Sequence, residues 1–154
     1  MPNTKAVGVA YSDPEFDSVT VTGASALQAV TGTTVVGTTV FATSEMGYTA
    51  AASGTVTQLT SKSTGVTLNK SAGQITMNGA ELANATNVTF TLTNSGISAK
   101  DVVVLSVAAG ATAGAYNCWI SGKSTGSCTI TLRNLSGGAL SEAVVINFVV
   151  IHVL

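Results

Sequence analysis

Charge is scarce in this chain. Six Lys and Arg and seven Asp and Glu make up only 8% of its 154 residues, and the net charge is −1. So few cations, offset by as many anions, cannot build a phosphate-neutralising face, so no nucleic-acid partner is expected. Global disorder is excluded by the 45% apolar content, because disordered chains are poor in apolar groups and rich in charge. Long hydrophobic runs are missing as well. The longest, Ala143 to Leu154, is broken by Asn147 and His152. It falls short of the roughly 20 residues that a bilayer-crossing helix needs, so no membrane partner is expected. The opening Met1-Pro2-Asn3-Thr4-Lys5 lacks the basic and apolar regions of a secretory signal, and synthesis in a reducing cytoplasm is the expectation.

Groups that carry chemistry are equally sparse. The only histidine, His152, sits at the end of an apolar strand. A nucleophilic triad would need it in a cleft beside an acid, and its place near the end of the chain reads instead as structural. Cys118 and Cys128 lie ten residues apart on two expected neighbouring strands, where they could face each other across a hairpin. In a reducing compartment they read as buried thiols acting as small hydrophobes. Two cysteines and one distant histidine cannot supply four zinc ligands. Ser121-Gly122-Lys123-Ser124-Thr125 imitates the tail of a phosphate loop. Asn117 stands where the first glycine should be, and the segment joins two strands, so it reads as a hairpin turn.

Aromatic residues make up 5% of the chain, and Trp119, Tyr116 and Phe148 read as packing residues rather than a sugar-stacking platform. Four Asn-x-Ser/Thr sequons, at Asn69, Asn84, Asn87 and Asn134, are expected by chance in so Asn- and Thr-rich a chain. No catalytic residue, metal site or cofactor is expected, and the chain does not read as an enzyme.

What is present is Val and Thr, the β-branched residues that suit pleated strands. Strands are expected at 55–60, 66–68, 74–77, 87–93, 101–108, 115–122, 127–134 and 142–153. Val88-Thr89-Phe90-Thr91-Leu92 and Cys128-Thr129-Ile130-Thr131-Leu132 alternate cleanly between apolar and hydroxyl residues. Val102-Val103-Val104-Leu105 and Val144-Val145-Ile146 are continuous apolar runs. They read as central strands covered on both faces, or covered on one face by a neighbouring subunit. Turn residues such as Asn94-Ser95-Gly96 and Ser136-Gly137-Gly138 separate these segments. Helical turns are expected only at 24–30 and 80–83. The fold class is therefore all-β, a β-sandwich or jelly-roll-like domain over residues 55–154 with an extended N-terminal arm over residues 1–54.

The arm is written in short glycine-punctuated units, including the tandem Gly32-Thr33-Thr34-Val35-Val36 and Gly37-Thr38-Thr39-Val40-Phe41. It has too few large apolar side chains for a core of its own, so it must lie on something else. An intertwined trimer and a plain extended arm both account for it. Val35, Val36, Val40 and Phe41 are the candidates for burial between subunits. Asp13, Glu15 and Asp17 alternate around Phe16 and gather three of the seven acidic residues on one face. With no further ligands or calcium-loop turn, Asp13, Glu15, Phe16 and Asp17 read as a contact with a basic partner surface rather than a cation site.

Several segments together carry a resemblance. They are Ser63-Thr64-Gly65-Val66-Thr67-Leu68-Asn69-Lys70, Gly73-Gln74-Ile75-Thr76-Met77, Phe90-Thr91-Leu92-Thr93-Asn94-Ser95, Asp101-Val102-Val103-Val104 and the stretch from Ile130 to Ala143. Over roughly Thr55 to His152 the chain resembles a β-domain of small virion proteins of tailed bacteriophages, found in head decoration (cement) proteins and in head and tail fibres. The resemblance implies a structural role, usually as a homotrimer, with the major capsid protein as partner on the capsid exterior of the virion. The division into arm and unit favours a decoration protein that bridges capsomers. The alternative is a fibre module that binds host-surface glycans.

Overall fold

The computed structural model describes Gly32, residues 34–37 and residues 39–153. The chain divides into two compact units, Met1–Phe41 and Ala42–Leu154. The described residues of the first carry no helix or strand. The second unit is all-β. After a single 3-10 turn at Ala50–Ala52 it holds eight strands: β1 (Ser53–Thr57), β2 (Val66–Thr67), β3 (Ala72–Thr76), β4 (Asn87–Thr93), β5 (Val102–Ala109), β6 (Tyr116–Ser124), β7 (Ser127–Asn134) and β8 (Val145–Ile151). Each overlaps one of the segments expected to be a strand. The helical turn expected at 80–83 is absent. Leu82 instead forms an isolated antiparallel bridge with Leu140, because its side chain, 5% exposed, is drawn into the core.

The strands form two four-stranded mixed sheets, ordered β1-β3-β8-β5 and β2-β4-β7-β6. In each, one edge pair is parallel (β1 with β3, β2 with β4) and the remaining pairs are antiparallel. The two sheets share one hydrophobic core. Ile75, Ile146, Phe148 and Val150 come from the first sheet, and Phe90, Leu92, Cys128, Ile130 and Leu132 from the second. The period of two explains this directly: Val88, Phe90 and Leu92 turn inward, while Thr89, Thr91 and Thr93 turn outward.

The apolar run of β5 does not make a central strand. β5 lies at the edge of its sheet, with Val103 and Leu105 packed on the core and Val102 and Val104 about half exposed. A continuous apolar run is ambiguous because its periodicity cannot say what covers the second face. β8, by contrast, is central, and its inward Ile146, Phe148 and Val150 are almost fully buried.

The β6–β7 hairpin closes through Thr125-Gly126, with Gly126 at φ +82°, a conformation that favours glycine. This turn lies off the midpoint between the two cysteines, so Cys118 stands opposite Leu132 and Cys128 opposite Lys123. Neither faces the other, and both are free thiols.

Between β1 and β3 the backbone comes too close for a side chain. A Cβ on Gly73 would lie 2.6 Å from the Gly54 carbonyl oxygen and 2.9 Å from a Leu68 methyl. Gly79 has open space around it. Gly73→Ala should therefore lower the stability by about 1–3 kcal/mol through overpacking, while Gly79→Ala should stay within about 0.5 kcal/mol of wild type. Urea unfolding of the two variants checks this; equal midpoints would contradict the packing described.

Candidate functional site

Charged side chains in the second unit mostly serve its own backbone. Asp101, 1% exposed, accepts hydrogen bonds from the Ser98 amide (2.8 Å), the Ser98 hydroxyl (2.7 Å) and the Val153 amide (3.0 Å), and its Oδ2 lies 2.9 Å from His152 Nδ1. Lys123 Nζ donates to the Asp101 carbonyl oxygen. Together these bonds clasp the end of β8 to the loop before β5. The Ser98 bonds, the Val153 amide and His152 hold the Asp101 carboxyl far below the usual carboxylate range.

His152 thus has the acidic neighbour that a triad would need. It also borders a cleft of about 130 Å³ that Ser71 and Ser95 help to line. Among the described residues, however, Asp101 is the only hydrogen-bond partner of the imidazole, and no hydroxyl or thiol is aligned with it. The arrangement anchors a strand end.

A second clamp lies at Lys62, which is 3% exposed. Its ammonium donates to the carbonyl oxygens of Asn78 (2.6 Å) and Glu142 (2.5 Å). Gln58 Nε2 donates to the carbonyls of Lys62 (3.0 Å) and Thr64 (2.8 Å), closing the same loop. Burial lowers the Lys62 pKa, and the charge of Glu142 opposes that shift. The Glu142 carboxylate accepts from the Thr112 hydroxyl (2.6 Å) and amide (3.1 Å), which lowers its own pKa. Burial, with the neighbouring Glu142, pushes the Tyr116 phenol up to about 12. Burial also raises the Cys128 thiol to about 11 and raises Cys118, so both are protonated and unreactive at neutral pH. Among the described residues no group of three or more His, Cys, Asp or Glu could hold a metal ion.

The strands of the first sheet carry no charged residue and those of the second only Lys123 and Arg133, and their outer faces differ in kind. On the first sheet, Val102 pairs with Ile151 and Val104 with Val149 on the outward side. Val102, Val104 and Ile151 are 50%, 47% and 52% exposed, an apolar end to the sheet that among the described residues only a short strap borders. That strap is Met46-Gly47-Tyr48, which with Val149 and Ile151 borders an apolar hollow of about 410 Å³. The Tyr48 hydroxyl fixes it by donating to the Val150 carbonyl oxygen at 2.6 Å. On the second sheet the outward positions of β4 and β7 are largely threonines, and Thr89, Thr131, Ser121 and Thr129 form a chain of hydroxyl hydrogen bonds.

Of the residues singled out in the sequence, Asp13, Glu15, Phe16 and Asp17 lie outside the described residues, as does the helical turn expected at 24–30. Val35, Val36, Val40 and Phe41 are all exposed. Of the three aromatics, Phe148 is buried in the core, Tyr116 packs against it, and Trp119 alone reaches an outer face. The Asp101 clasp was missed, although Ser98 three residues before Asp101 has the spacing of a reciprocal side-chain cap. Lys62 carries no such signal.

Because Asp101 titrates below its unfolded value, its contribution is fully present above about pH 4 and is lost as pH falls below that. Wild type should lose thermal stability steeply between pH 4 and pH 2. Asp101→Asn should be less stable at pH 7 and lose less over the same acid range. Parallel pH profiles in calorimetry would contradict the clasp. No family model, curated protein or solved structure matches the chain.

Proposed function

We propose that the chain is a structural subunit of a tailed-phage virion: a decoration protein that sits on the capsid exterior and bridges capsomers of the major capsid protein as a homotrimer. In this reading the two sheets form a β-sandwich of jelly-roll type, and residues 1–54 are the arm that grips the shell. The observation that carries it is the apolar end of the first sheet. Val102, Val104 and Ile151 stand half exposed on an edge strand and its neighbour, with Met46 beside them 83% exposed. Burying three such aliphatic side chains is worth several kcal/mol, at roughly 25 cal/mol per Å² of apolar surface removed from water. A subunit that meets copies of itself or a shell gains that energy, and an isolated one forgoes it.

The scarcity of charge supports the same role. With most charges of the unit engaged by its own backbone, contacts made through its faces depend little on ionic strength. Bridging contacts of this kind favour the expanded shell against the pressure of a packed genome. The second reading, a head or tail fibre that binds host-surface glycans, is favoured by one feature, the exposed Trp119 on a hydroxyl-rich sheet face.

Copy number separates the two. Quantitative mass spectrometry of purified particles should find hundreds of copies per virion, and particles stripped of the protein should lose heat and chelator resistance and regain it on re-addition. A handful of copies, or unchanged resistance after stripping, would overturn the decoration role.

A further inference from the structure

We propose that the outer face of the second sheet is a binding platform for a pyranose oligosaccharide, built on Trp119 and Arg133. The inference rests on the glycan-binding reading above and gives it a site. Register places the parts. In one row across three strands Asn87 of β4 stands directly opposite Arg133 of β7, which stands directly opposite Asn117 of β6. In the next row Thr89, Thr131 and Trp119 follow in the same order. All six occupy outward positions, since the alternate residues Val88, Cys118, Leu132 and Ile130 pack on the core. Neighbouring strands lie about 4.8 Å apart, so the two rows span roughly 10 Å across the sheet, room for a sugar ring or two.

The chemistry of the two rows is complementary to a pyranose. Each sugar ring has an apolar face of C–H groups, which stacks on an aromatic plate, and a rim of hydroxyls, which needs donors and acceptors. Trp119, the only tryptophan of the chain, supplies the plate at 36% exposure. The exposed Asn87 and Asn117 each supply a donor and an acceptor on either side of the guanidinium. Thr131, 3% exposed in the middle of the face, is tied to Thr89 at 2.7 Å and to Ser121 at 2.8 Å, which fixes the floor beneath the ligand.

The second, independent observation is Arg133 itself. Its Nε is buried without a hydrogen-bond partner, and the rest of the side chain, only partly buried, makes no hydrogen bond to the described residues that would compete with a ligand. None of β4, β6 or β7 contains Asp or Glu, and the sole ion pair among the described residues is His152 with Asp101. Among the described residues the guanidinium therefore has no acidic partner, which leaves its outer nitrogens for a hydroxyl, acetamido carbonyl or carboxylate oxygen of a ligand. A protein partner fits less well, because the face lacks the cluster of large apolar anchors that a protein interface centres on.

Because Trp119 is the only indole, its fluorescence reports the site directly. The full chain is titrated with chitohexaose, cellohexaose and maltohexaose, which separate N-acetylated bacterial-wall chemistry from plain glucans. Saturable quenching or a blue shift with at least one of them is expected. Saturation-transfer NMR with that sugar should show binding abolished in Trp119→Ala, retained within about tenfold in Trp119→Phe, and weakened at least tenfold in Arg133→Gln. Circular dichroism confirms that each variant is folded; should Trp119→Ala fail to fold, the Phe and Arg133 variants decide. No saturable change with any of the three sugars overturns the proposal, and so does binding that survives both Trp119→Ala and Arg133→Gln. A Trp119 signal that changes with protein concentration alone overturns it too, by assigning the face to a contact between copies. If the sugar binds but phage carrying Trp119→Ala adsorb to cells normally, the site stands and the host-recognition reading falls.

Discussion

Both sheets are held by one apolar layer, and everything else in the second unit is arranged around it. Ile130 and Leu132 of β7 meet that layer from one side, and Ile146, Phe148 and Val150 of β8 from the other, all 3% exposed or less. At about 1.5–3 kcal/mol for each fully buried large aliphatic side chain, these central strands dominate the favourable side of folding. The layer takes most of the inward positions of β7 and β8. The surfaces left free are the outer faces and the edges, where β5 and β6 end their sheets.

The shortage of charge has a structural explanation at this level. Nine charged side chains lie between Ala42 and Leu154, and Lys62, Lys70, Asp101, Lys123 and Glu142 all hydrogen-bond to backbone groups. They satisfy carbonyls and amides in loops that have no ladder partner, a role that neutral side chains fill more weakly. Two different faces result: one uncharged and apolar at its end, the other a lattice of hydroxyls with a single tryptophan and a single arginine. The first suits a permanent contact that excludes water, the second a reversible and wetter one.

The strands were legible because their signal is local. Period-two alternation in Val88–Leu92 and Cys128–Leu132 specifies which face is buried without reference to any partner. Features that depend on distant residues were not legible. Asp101 and His152 lie 51 positions apart and meet only because β5 and β8 pair. The cysteines miss each other because the hairpin turn falls at Thr125-Gly126 and a bulge between Ile120 and Gly122 shifts the register. Leu82 forms a bridge rather than a helical turn because the core rewards its burial more than three alanine-rich neighbours reward a helix. Trp119 read as packing because composition cannot distinguish an inward from an outward position, whereas register can.

That the apolar end of the first sheet is a contact between subunits is the central claim, and the mass of the free protein tests it most directly. Sedimentation equilibrium of the full chain should give a trimer of the 15.3 kDa subunit. The double variant Val104→Glu, Ile151→Glu, which changes only exposed outward positions, should shift it to monomer while its circular dichroism stays β-rich. A wild-type chain that remains monomeric at every concentration, or a trimer untouched by the double variant, would contradict it.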